Sequence, residues 1–385
     1  MRYFVGLVCV LALGVVGCSE GANDLCEGVV CEDTECRSGG LCDPSNGVCD
    51  FTPVADGTAC GDDKGTCQQG SCQVACTEQG IRDAITAGVG PYTFDCNGPQ
   101  TVVTKAEIVI DNDVILDGEG NLTIDGDRQH RVLSVSENVT AELLGLTMSR
   151  GNAGAAASGG GIDNGGTLTL MNSTVSGSSA SSGGGIYNGG TLTLMNSTVS
   201  GNSAEGEAGG IFNSHGTLTL MNSTVSGNAT EWSEHGGQAL VNLRGVMTLV
   251  SSTVSGMIYA EGEPTPGVVA TVVSAATLIR GQCGAPPPEF AQTEWVSDGY
   301  NVGSPGYQCG FDQPTDQVGV PAEELNLGPL ANNGGDTMTH ALGADSVAID
   351  HIPAVDCEVD KDQRGQPRPE TDGTMCDVGA FEVQP

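Results

Sequence analysis

Between residues 159 and 227 one sequence unit occurs three times, almost unchanged. The first copy reads Gly159-Gly160-Gly161-Ile162-Asp163-Asn164-Gly165-Gly166-Thr167-Leu168-Thr169-Leu170-Met171-Asn172-Ser173-Thr174-Val175-Ser176-Gly177. The others run from Gly183 to Gly201 and from Gly209 to Gly227, with a degraded copy at Val246–Gly256 and a degraded predecessor at Leu143–Gly151. Val175, Val199, Val225 and Val254 are spaced by 24, 26 and 29 residues. A period of this size is open to a leucine-rich repeat, a pair of helices or a β-solenoid. The unit is poor in helix formers. It has Thr-Leu-Thr-Leu alternation, β-branched residues and glycine corners, and these select the solenoid. The expected fold is all-β: a right-handed parallel β-helix with three strands per coil, preceded by a small disulfide-rich module. The strands fall around Gly-Ile-Tyr-Asn, on Thr-Leu-Thr-Leu-Met and on Ser-Thr-Val-Ser.

Alternation also names the inward positions. They are Ile162, Leu168, Leu170 and Val175, then Ile186, Leu192, Leu194 and Val199, then Ile211, Leu218, Leu220 and Val225. Like should stack on like at about 4.8 Å, the spacing of neighbouring strands. Asn172, Asn196 and Asn222 recur at one corner, where a side-chain amide ladder is expected. The insertions Glu205-Gly206-Glu207 and Ser214-His215 are expected to share one corner.

The rest of the chain divides around this body. Arg2 followed by an apolar run from Tyr3 to Val16 reads as an export signal, too short for a comfortable membrane span. It ends in Val15-Val16-Gly17-Cys18, which resembles the bacterial lipobox. That resemblance implies cleavage before Cys18 and acylation of its thiol and amine, a stable anchor because several chains are buried. Residues 1–17 are then signal and 18–25 a lipidated tether, and Ser19 leans towards the outer membrane. Of the 16 cysteines, fourteen remain when Cys9 and Cys18 are set aside, an even number suited to disulfides in an exported chain.

Eight of them crowd into residues 26–73, at 26, 31, 36, 42, 49, 60, 67 and 72. This segment is too polar to bury much and is expected to be held by covalent bonds. It resembles the small cysteine-rich modules of bacterial surface lipoproteins and reads as a stiff spacer. It has no Cys-x2-Cys pair and no His, which argues against zinc. Residues 74–99 hold one short amphipathic helix, Thr77 to Ile85, flanked by Cys76 and Cys96, which are expected to pair, and placed to cap the open end of the solenoid. Strands at Val102–Val103, Ile108–Ile110, Val114–Leu116, Leu122–Ile124 and Val132–Val135 open the β-helix, assigned to residues 100–320. From about Gly262 the repeat is lost, and Pro264, Pro266 and Pro286-Pro287-Pro288 mark irregular insertions. Cys283 with Cys309, and Cys357 with Cys376, are the expected remaining bonds.

Only 4% of residues are aromatic and 59 are Gly, which suits tight turns better than a conventional globular core. The formal charge of −35 argues against nucleic acid and anionic lipid surfaces as partners.

The Gly-Gly-Gly-Ile-Tyr-Asn-Gly-Gly-Thr-Leu-Thr-Leu unit resembles the β-helix proteins of the pectin-lyase-like superfamily. The tail is more specific. Leu327-Gly328-Pro329-Leu330-Ala331-Asn332-Asn333-Gly334-Gly335, Thr339-His340-Ala341-Leu342, Asp362-Gln363-Arg364-Gly365 and Cys376-Asp377-Val378-Gly379-Ala380-Phe381-Glu382 resemble the choice-of-anchor Q surface proteins. That likeness spans about Cys76 to Pro385 and assigns residues 321–385 to the family's C-terminal region. The Gly-Gly-Ile and Ile-Phe-Asn pieces are also similar to polymorphic outer-membrane adhesins.

Enzymes of the pectin-lyase-like superfamily imply carboxylates for calcium with an Arg or Lys base, or paired Asp residues as acid and base. Between Arg150 and Arg280 the only Lys or Arg is Arg244, so the repeats offer no base. Asp117, Glu119, Asp125 and Asp127 are weak calcium candidates; Asp-Gly is also the commonest turn dipeptide, and they read first as turn residues. Arg128, His130 and Arg131 are open to a small site with Asp125 and Asp127, or to plain solvent-facing turns. His215 and His235 read as loop residues. Asp362, Arg364 and Asp377 read as a structural ion pair near Cys357 and Cys376. No catalytic set and no cofactor is assigned. The expected function is a lipid-anchored cell-surface protein acting in adhesion or interaction, binding an extracellular glycan or a surface protein, without catalysis. The alternatives are a carbohydrate-active enzyme and a passive surface coat.

Overall fold

Within each short strand every second residue is apolar, and a strand turns successive side chains to opposite faces. Stacking identical strands in register therefore builds a continuous apolar column. The computed structural model describes residues 33–42, 49–231, 238–263, 268–284, 292–306, 309–370 and 373–385. Cys18, Cys26, Cys31 and His235 lie outside the described residues.

The repeats form a parallel β-helix. Thr167–Met171 pairs in parallel with Thr191–Met195, which pairs with Thr217–Met221, which pairs with Val246–Val250, without a register shift. The Thr-Val-Ser strands stack likewise, from Thr174–Ser176 through Thr198–Ser200 and Thr224–Ser226 to Thr253–Ser255. The third face is an eight-stranded sheet that includes Ile162–Asn164, Ile186–Asn188 and Ile211–Ser214. All twelve expected inward residues of the three copies are at most 1% exposed. Burying an aliphatic side chain contributes about 1.5–3 kcal/mol, so each coil adds a nearly equal increment to one core.

Two sequence expectations are corrected at the corners. Asn172, Asn196 and Asn222 form no amide ladder. They hold left-handed turns with φ of 49°, 50° and 48°, a conformation that Asn tolerates better than most residues. The ladder is made by Asn164, Asn188, Asn213 and Asn242, each 0% exposed. Each Nδ2 donates to the Oδ1 of the asparagine one coil on, at 2.7, 2.6 and 2.7 Å. Asn202 and Asn228 make a second ladder at 3.0 Å, and Ser173, Ser197, Ser223 and Ser252 each accept a backbone N–H at 3.1–3.2 Å. The insertions also fall at different corners. Glu205-Gly206-Glu207 precedes the Ile211–Ser214 strand, whereas Ser214 ends that strand and His215 turns the corner after it.

The solenoid outlasts its sequence repeat. Beyond Gly262, Ala270–Ala275 still pairs in parallel with Val246–Val250 and Thr293–Gly299, and Leu278–Arg280 with Val302–Gly303. The strands persist because alternation, not identity, is what pairing requires.

At the other end, the helix Glu78–Ala87 buries Ile81, Ala84 and Ile85. Thr77 caps it, Oγ1 accepting from the Gly80 N–H at 3.1 Å, and the Cys76–Cys96 disulfide closes its base. The cysteine-rich module does not stand apart as a spacer. Disulfides Cys36–Cys67 and Cys60–Cys72 hold it. Its last strand, Ser71–Ala75, pairs with Val89–Asp95 in the body's own sheet, and Cys36, Cys60, Cys67 and Cys72 share the main core. Cys283–Cys309 and Cys357–Cys376 are bonded in the upper coils and the tail. Among the described residues no helix is long and apolar enough to cross a membrane.

Candidate functional site

The acidic candidates are not gathered into one site. Asp117 Oδ1 accepts from the Glu119 N–H at 2.8 Å, and Asp125 Oδ1 from the Asp127 N–H at 2.8 Å, both closing turns on their own chain. Asp125 is buried and its other oxygen meets Arg150 at 2.7 Å. Asp127 lies 3.7 Å from the same guanidinium. Among the described residues the only group of His, Cys, Asp and Glu close enough to share an ion is Cys36, Cys60 and Cys72, all tied up in disulfides.

Nor does the structure assemble Arg128, His130 and Arg131 with Asp125 and Asp127. His130 spans the Arg131 and Thr104 carbonyl oxygens at 2.7 and 2.9 Å. Arg131 reaches Glu107 at 2.8 Å and Asp163 at 3.2 Å. Burial nonetheless pushes the Asp163 carboxyl up, against the pull of Arg131 and with the push of Glu107. His215 is an exposed left-handed corner whose Nδ1 meets Ser214 Oγ at 3.2 Å.

The tail holds the densest ionic cluster. Arg364 Nη2 meets Asp362 at 2.7 Å, donates to the Glu382 carbonyl, and its guanidinium lies 3.6 Å from the centre of the Phe381 ring. Asp377 accepts backbone N–H groups of Asp350 and Val383 at 2.9 and 2.7 Å, so it bridges chain segments and does not join the Asp362–Arg364 pair. Sequence reading missed the partner pair Arg368–Glu382, 3.1 Å apart with both side chains 1% exposed. Burial pushes the Glu382 carboxyl up to about 7. A lone Arg among prolines gave no signal of this.

This tail decides which face of the β-helix is free. Thr198 Oγ1 donates to the Met338 carbonyl at 2.7 Å, Thr224 Oγ1 to Gln363 Oε1 at 2.6 Å, and Thr253 Oγ1 accepts the Ala380 N–H at 3.0 Å. Gln363 Nε2 reaches Thr198 Oγ1 and Thr337 Oγ1 at 2.9 and 2.8 Å, and His340 Nε2 lies 2.8 Å from Ser226 Oγ. The Thr-Val-Ser face of these coils is therefore covered by the chain's own C-terminal region.

The Thr-Leu-Thr-Leu-Met face is open. One column runs Thr140, Thr167, Thr191, Thr217, Val246, Thr271; the next runs Glu142, Thr169, Thr193, Thr219, Thr248, Val273. Thr167, Thr191 and Thr217 are exposed, and Thr169, Thr193 and Thr219 half-buried. From Thr167 to Ala275 no outward position of these five strands is ionisable. The face can donate, accept and make methyl contacts, but offers no acid, base or metal ligand.

No protein-family model matches the chain, and no curated protein matches it. Among solved structures, the crystal structure of pectate lyase Pel9A is similar over 78% of this chain and 90% of that one, at 14% identity and a TM-score of 0.42. A likeness this distant carries no argument about what the chain does.

Proposed function

We propose that the protein is a non-catalytic cell-surface protein, anchored through lipid on Cys18 in the outer membrane, that acts in adhesion or interaction. The choice-of-anchor Q resemblance of residues 321–385 belongs to the same reading. The contact surface is the open Thr-Leu-Thr-Leu-Met face, and the partner an extracellular glycan or a surface protein. One observation carries this: five in-register strands present an uncharged array in a chain of net charge −35. Such a face avoids like-charge repulsion only towards partners that are not strongly anionic.

The test uses the full chain carrying Cys18→Ser, incubated with insoluble polysaccharides, with and without calcium. Retention without chain shortening, lost on Thr193→Glu, is the expected result. Cleavage that a chelator abolishes would overturn the non-catalytic reading in favour of a carbohydrate-active enzyme.

A further inference from the structure

We propose that the open threonine face binds ice. The inference uses the same face as the adhesion reading but assigns it a partner that is neither glycan nor protein. The argument is one of lattice and charge. Strands in register set side chains about 4.8 Å apart across the sheet, and alternate residues stand about 6.7 Å apart along a strand. Thr167 and Thr169, Thr191 and Thr193, and Thr217 and Thr219 occupy both repeats at once. The prism face of ice also repeats its oxygen atoms on a rectangular grid, with a short spacing near the first distance and a long one somewhat greater than the second.

Val246 with Thr248, and Thr271 with Val273, continue the grid with a methyl at every node. All ten side chains are β-branched, so χ1 is stiff and little rotamer freedom is lost on contact. At the corner that leads into this face, the buried asparagine ladder Asn164–Asn188–Asn213–Asn242 locks each coil to the next. Side-chain ladders of this kind are what keeps stacked strands from twisting out of a plane. Ice carries no net charge, and no ionisable group stands on these five strands; Glu142 and Glu294 bound the grid below and above. Methyls restrict the orientation of first-shell water, and the hydroxyls between them hydrogen-bond it.

The experiment freezes the full chain carrying Cys18→Ser slowly from dilute buffer and measures its partition between ice and liquid. Four proteins are compared: this chain, the same chain with Thr193→Tyr at the centre of the grid, with Thr193→Val at the same place, and with Val355→Tyr in the exposed tail. Thr193→Val, which keeps the methyl, guards against misfolding of the tyrosine variant. The expected result is enrichment in ice, lowered at least about tenfold by Thr193→Tyr, and unchanged by Val355→Tyr. Thr193→Val should retain most of the enrichment. Exclusion of the parent chain from ice would overturn the proposal, as would equal enrichment of parent and Thr193→Tyr. Retention on insoluble polysaccharide that Thr193→Tyr abolishes, without ice enrichment, sinks this inference and leaves the adhesion reading standing. Loss of neither signal in Thr193→Tyr sinks both.

Discussion

At the residue scale, Arg368 and Glu382 carry the largest electrostatic stake. Both side chains are 1% exposed and 3.1 Å apart. Removing one member of a buried ion pair costs about 3–5 kcal/mol, so Arg368→Met should lower the denaturation midpoint accordingly above about pH 7, where Glu382 is ionised. Burial raises the Glu382 carboxyl to about 7, against 4.5 in an unfolded chain. The folded state therefore holds this proton more firmly. Its contribution is full below pH 4.5, declines as pH rises, and is lost once pH passes about 7. Glu382→Gln removes the titration. Relative to that variant the wild type should lose melting temperature between those two values and run parallel outside them. A difference that stays flat across the window would refute the assignment. The motif Cys376-Asp377-Val378-Gly379-Ala380-Phe381-Glu382 was legible as a unit. Its ion pairing was not, because Arg368 and Glu382 meet only once the tail has folded.

At the scale of the element, the coil corner separates two kinds of asparagine that look alike in the sequence. Asn188 donates to Asn213, accepts from Asn164 and is fully buried. Asn188→Ala takes the Asn188 donor from the buried Asn213 Oδ1, at about 1–3 kcal/mol, while Asn164 Nδ2 keeps the Thr191 carbonyl. Asn196 instead holds a left-handed turn, so Asn196→Gly should fall within about 0.5 kcal/mol of wild type. Urea titration of the two variants decides between the ladders. If Asn196→Gly were the costlier change, the corner assignment would be reversed. The inward positions are less ambiguous. Leu192→Ala empties a site that is 0% exposed and should cost about 2–5 kcal/mol. Inward leucines were readable because alternation is a property of a single strand. The asparagine ladder was not, because every copy carries asparagine at two corners, and only the turn geometry says which one points inward.

For the whole molecule, the tail and the solenoid are two layers joined through side chains. Gln363 links Thr198, Thr224 and Thr337 in a buried contact. Gln363→Ala should loosen that seam. Limited proteolysis should then cut the tail faster while the coils resist, since their own core is unchanged; equal protection of the tail would show that the seam lies elsewhere. The parallel β-helix and its inward residues follow from the repeat alone, because a short repeat imposes the same local alternation on every coil. The sequence also placed the cysteines that close both ends. Only the tertiary structure decided which of the two threonine faces remains free. Thr198 meets Met338 across a separation of 140 residues, and nothing in the composition of either strand records that contact. The two faces are chemically similar, and what distinguishes them is which one the returning chain covers.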